Sequence, residues 1–167
     1  MTNVTVMQRS RTTVVLHPDV TIKTYNHPEW AATEISFYDM VPWACPPRLW
    51  CDPDTGTLIT ATLPLAANNP DYRRVDDLLA LITRLEDAGI SHRDIHPANI
   101  VIGHNNKPLL IDWECAIQQP GYDRHGPDSG IPIPDIHLEC GPQWLHSDDP
   151  SSIKNTWGTD ALRTSLV

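Results

Sequence analysis

Residues 89–102 read GISHRDIHPANIVI, so His92, Arg93, Asp94, His96 and Asn99 stand within eight consecutive positions, between two apolar patterns. Polar and ionisable groups in such a place cost free energy unless they are paired or put to use. Upstream, residues 74–88 predict the best helix of the chain, with Val75, Leu78, Leu79, Ile82 and Leu85 on one stripe and Gly89 as its terminator. Downstream, a polar GHNNK turn precedes PLLI, a short buried strand that delivers Asp112 at its end. A carboxylate there needs a partner, a metal or a function. The fold therefore turns on a polar loop held between a helix and a strand pair, with a second acidic side chain brought back to it.

The first sixty residues supply the remaining elements. NVTVM, TTVVLH and VTIKTY read as three short strands, separated by a polar QRSR turn and a Pro18-Asp19 turn. On the third, Val20, Ile22 and Thr24 share one face, and Thr21, Lys23 and Tyr25 the other. Residues 28–41 predict a helix, with Pro28 in its first turn, Glu29 at its positive end and Trp30, Glu34 and Tyr38 on one face. RLWC and TLITATL, joined by DPDTG, predict a hairpin. The sixteen prolines fall largely in residues 42–70 and in the last third, which reads as irregular.

Composition narrows the function classes. Twelve Lys and Arg against twenty-one Asp and Glu give 167 residues a net charge of −9, which disfavours binding nucleic acid through a broad basic surface. No stretch approaches a membrane span, and the N-terminal MTNVTVMQRSRTT lacks the apolar core of a signal peptide. Cys45, Cys51, Cys115 and Cys140 form no C-x-x-C pair, so they are expected as reduced thiols in a cytoplasmic protein rather than a zinc site.

His92-Arg93-Asp94 followed by Asn99, with Asp112 on the next strand, resembles the catalytic loop and metal-binding segment of protein-kinase-like phosphotransferases. By order of elements the resemblance runs over residues 12–118. It implies an α+β, compact and truncated bilobal kinase-like fold, with an antiparallel-sheet N-lobe over residues 1–65 and a reduced C-lobe with a Pro-rich tail over residues 66–167. It implies ATP and Mg²⁺, with Asp94 orienting and deprotonating the acceptor hydroxyl and Asn99 and Asp112 holding the metal. Lys23 takes the role of the strand lysine that grips the phosphates, and Glu34 is its partner, with Glu29 as the fallback. Thr60 takes the position guarding the back of the nucleotide pocket, and backbone groups of Ala61 and Leu63 are implied to meet the base.

The departures from the family pattern shape the expected activity. QRSR stands where a Gly-rich loop would cover the phosphates, with Arg9 or Arg11 as charged substitutes. Asp112-Trp113-Glu114 and His96 resemble aminoglycoside and choline kinases, whereas Arg93 follows the protein-kinase form. The short stretch after Asp112 suits a pared-down kinase of a compact genome such as a phage, acting on a protein hydroxyl, itself included. A minimal Ser/Thr protein kinase is therefore the leading expectation, with autophosphorylation at Ser129, Ser151 or Thr159. A small-molecule kinase and a nucleotide-binding pseudokinase are the alternatives. A different class, a metal-dependent hydrolase built on His92, Asp94 and His96, leaves Lys23 and Asn99 unexplained.

Overall fold

The computed structural model describes residues 4–68, 75–95, 97–120 and Asp123. Five strands form one antiparallel sheet: β1 (Thr5–Gln8), β2 (Thr12–Leu16), β3 (Val20–Tyr25), β4 (Arg48–Asp52) and β5 (Thr57–Ala61), in the spatial order β1-β2-β3-β5-β4. Helix α1 (Pro28–Met40) is inserted between β3 and β4 and packs on the sheet. Helix α2 (Val75–Asp87) and a two-stranded ladder, β6 (Ile100–Ile102) with β7 (Pro108–Leu110), follow. This is the α+β architecture that the resemblance implies.

Local chemistry accounts for the element ends. Pro28 occupies the first turn of α1, and Glu29 sits at its positive end beside His27. In the β4–β5 turn, the Asp52 carboxylate accepts the backbone N–H of Asp54 at 3.0 Å, and Gly56 takes the positive φ (+67°) that closes the hairpin. Gly89, at φ +73°, ends α2: its N–H donates to Glu86 O and that of Ile90 to Leu85 O, while Leu85 and Ile90 are both buried. That is a Schellman motif, and it turns the chain straight into the polar loop.

One apolar core joins β3, β5, both helices, the ladder and the turn after it. Tyr25, Ile35, Phe37, Tyr38 and Leu58 from the sheet and α1 join Leu78, Leu81, Ile82 and Leu85 of α2, Ile100 and Leu110 of the ladder, and Trp113. Trp113 is fully buried, donates its indole N–H to Leu110 O at 3.0 Å, stacks on Phe37 and meets the His92 ring edge-on at 4.6 Å. It thereby fixes α1, the end of β7 and the polar loop against one another. Cys45 and Cys51 are free thiols, and Cys45 and Cys115 are buried. No helix among the described residues is long and apolar enough to cross a membrane.

Candidate functional site

Lys23 projects from the central strand β3. Its ammonium contacts Glu34 Oε2 at 2.8 Å and also pairs with Asp112. Glu34 is buried on α1 and accepts the Tyr25 hydroxyl as well. Glu29, the fallback partner, is exposed and faces His27 instead. Burial disfavours the Lys23 ammonium, but the carboxylates of Asp112 and Glu34 outweigh it and hold its pKa above the ordinary lysine range. Burial pushes the Glu34 carboxyl up against the pull of Lys23. At Asp112 the balance tips the other way: burial opposes ionisation, yet Lys23 holds the carboxyl below its ordinary value.

The polar loop is assembled around its own backbone. Asn99 donates from Nδ2 to the Asp94 carbonyl at 3.0 Å and to Asp94 Oδ2 at 2.8 Å, which orients that carboxylate. Ile111, just before Asp112, donates its N–H to Asn99 O at 3.0 Å, and its carbonyl accepts from His92 Nε2 at 3.0 Å. The loop and the base of Asp112 are thus stitched to the same residue. Since a carbonyl only accepts, His92 carries its hydrogen on Nε2, leaving Nδ1 to receive the Asp94 N–H at 3.3 Å. His92 is fully buried, so it serves as a packing and bonding residue of the loop. Asp112 has a left-handed backbone (φ +69°), unusual for a residue other than glycine and a mark of functional sites.

Arg93 also has a positive φ (+70°) and is fully buried, donating to Cys115 O at 3.3 Å. Its charge serves the interior. Ser91 and Ile117 exchange backbone hydrogen bonds, tying the start of the loop to the segment after Asp112. Thr60 is buried on β5 opposite Thr21, on the sheet face that carries Lys23. The Ala61 N–H is committed to Pro47 O at 2.9 Å, whereas Leu63 forms no backbone hydrogen bond among the described residues. His96, Ser129, Ser151 and Thr159 lie outside the described residues.

Sequence reading missed Asp123. Its two carboxylate oxygens accept the backbone N–H groups of His92 and Arg93, each at 2.6 Å, clamping the loop from thirty residues away. Only its acidic character in a Pro-rich stretch was visible. Burial drives its pKa up to about 7 against those two donors. The folded protein therefore holds more protons than the unfolded chain between pH 3.8 and 7, and this group's contribution to stability falls as pH rises through that window. Relative to Asp123→Asn, the wild type is expected to be more stable at pH 5 than at pH 8, with a slope of up to about 1.4 kcal/mol per pH unit. Urea denaturation at the two pH values checks this; a constant difference would assign the titration elsewhere.

The donor set suits a hard cation. Asp112 offers carboxylate oxygens from a side chain about one-third exposed (31 %), and Asn99 turns its amide nitrogen to Asp94, leaving its amide oxygen for another contact. Among the described residues no group of three or more His, Cys, Asp or Glu is arranged to hold a metal. A magnesium ion shared between two side chains and a polyphosphate requires none.

A sheet lysine paired to a helix glutamate, a clamped loop aspartate with its asparagine, and a strand-end aspartate define the fold as that of a protein-kinase-like phosphotransferase. Comparison is in line with this: residues 44–123 match the model of the phosphotransferase enzyme family, APH. Among solved structures, the bifunctional kinase-methyltransferase WbdD is similar at 18% identity with a TM-score of 0.49, over 66% of this chain and 31% of that one. The chain thus spans about a third of the length of that protein. No curated protein matches the chain.

Proposed function

We propose that the chain transfers the γ-phosphoryl group of ATP, with Mg²⁺, to a hydroxyl acceptor. The observation that carries this reading is the meeting of Lys23 with both Glu34 and Asp112 at one ammonium, from three separate elements. In this reading Lys23 neutralises phosphate oxygens, kept in place by Glu34. Asp94 accepts the hydroxyl proton as the acceptor oxygen bonds to phosphorus and the bond to the β-phosphate oxygen breaks. Asn99 and Asp112 hold Mg²⁺, which supplies neutralisation of charge on the phosphates. The Ala61 carbonyl and the Leu63 backbone face the base beside Thr60, and residues 1–65 and 66–167 form the two lobes around it.

For the acceptor, two observations favour a small hydroxyl compound over a protein serine or threonine. Asp112-Trp113-Glu114 follows the small-molecule kinase pattern. Arg93, the mark of the protein-kinase form, is fully buried on Cys115 O and is not available to a phosphorylated segment. The protein-kinase reading stays testable beside it. Incubation with ATP and Mg²⁺ against aminoglycosides, choline and Ser/Thr peptides, followed by ADP release and intact mass, separates the two. ADP release stimulated by a small hydroxyl compound is the expected result. A mass gain of phosphate on the chain or a peptide, without such stimulation, would establish the protein acceptor. ADP formed with no acceptor phosphorylated would overturn both.

A further inference from the structure

The turn between β1 and β2 occupies the edge of the sheet above Lys23. Met7 pairs with Val14, and Val14 with Lys23, so these three side chains form one cross-strand row on a single face. Arg9 stands two residues beyond Met7 and continues that alternation past the end of β1. Its side chain is exposed, and it forms no ion pair with a described residue.

The other features of the turn are already engaged. Arg11 lies over the Trp30 ring at 5.1 Å, directed to the start of α1. Asn26 donates its backbone N–H to Arg11 O at 2.9 Å and its Nδ2 to Ser10 O at 3.0 Å, while the Arg9 N–H donates to Thr12 O at 2.8 Å. The turn is lashed down by these bonds, and what it still offers to the cleft is the Arg9 guanidinium. In a chain of net charge −9, an uncommitted cation on the sheet face that carries Lys23 has a natural complement in a polyphosphate.

We propose that Arg9 grips the nucleotide polyphosphate from the sheet side, doing by side-chain charge what a glycine-rich loop does with backbone N–H groups. The proposal rests on the ATP-dependent reading above and assigns a residue that reading leaves open. The contact is to the outer phosphates, so it discriminates between nucleotides by their phosphate number.

Calorimetric titration of the full chain with Mg-ATP, ADP and AMP tests it, using Arg9→Gln, Arg9→Lys and Arg11→Gln. Loss of one charge-assisted phosphate contact is expected to weaken Mg-ATP binding by roughly tenfold in Arg9→Gln. AMP affinity should stay within about twofold, which also reports that the variant is folded. Arg9→Lys is expected to recover part of the loss, and Arg11→Gln to bind like the wild type. Equal Mg-ATP affinity in wild type and Arg9→Gln overturns the proposal while leaving the ATP-dependent reading intact. An equal loss in Arg11→Gln overturns the assignment to Arg9. A wild type that binds no adenine nucleotide overturns that reading and this proposal together.

Discussion

Asp94→Asn is expected to lower turnover by about 10²–10⁴-fold, the range of a lost general base, while nucleotide affinity stays within about twofold. The substitution is nearly isosteric, and the new amide oxygen still receives the hydrogen bond that Asn99 Nδ2 gives to Asp94 Oδ2 at 2.8 Å. The backbone around it is held independently, by Asn99 on the Asp94 carbonyl and by Asp123 on the two preceding amides. What disappears is the capacity to take the hydroxyl proton. Single-turnover kinetics alongside nucleotide titration separates this from a folding defect. Undiminished turnover in the variant would remove Asp94 from the chemistry.

Asp112→Asn is expected to uncouple nucleotide affinity from magnesium. In the wild type, adding Mg²⁺ should tighten ATP binding by about tenfold, or about 1.4 kcal/mol. In the variant ATP should bind with one affinity whether Mg²⁺ or a chelator is present. Asparagine is the informative choice because Asp112 sits at φ +69°, a conformation that asparagine tolerates and alanine does not. Although partial burial opposes ionisation, Lys23 holds the Asp112 carboxyl below its ordinary pKa, so the group stays ionised near neutrality. The magnesium effect should therefore not change between pH 6 and 8. A variant that keeps the wild-type magnesium response would place the metal elsewhere.

Much of this arrangement was legible in the sequence because its signals are local. The strand alternation that put Lys23 and Tyr25 on one face, the helix over residues 28–41 and the spacing from Asp94 to Asn99 each depend on near neighbours. Choosing Glu34 over Glu29 followed from the resemblance, with Glu29 nearer the helix start, and Glu34 is the one that the structure buries. The parts that escaped depend on tertiary contact. Asp123 meets its partners across thirty residues of chain, and nothing in its own surroundings announces an acceptor for two loop amides. The burial of Arg93 is another such case: a charged residue is ordinarily at the surface, and only packing shows this one to be interior. The Tyr25 hydroxyl on Glu34 likewise required the distance between β3 and α1. Leu81, absent from the stripe read on α2, is buried as well.

The stack of Phe37, Trp113 and His92 has a consequence for how the molecule comes apart. Side chains from the sheet, both helices and the ladder share one continuous apolar cluster, with Trp113 near its middle. Separating the halves would expose part of this cluster in each. Melting should be cooperative, with the secondary structure of α2 and the tryptophan environment lost in the same transition. A chain cut into two pieces should regain structure only when both are mixed.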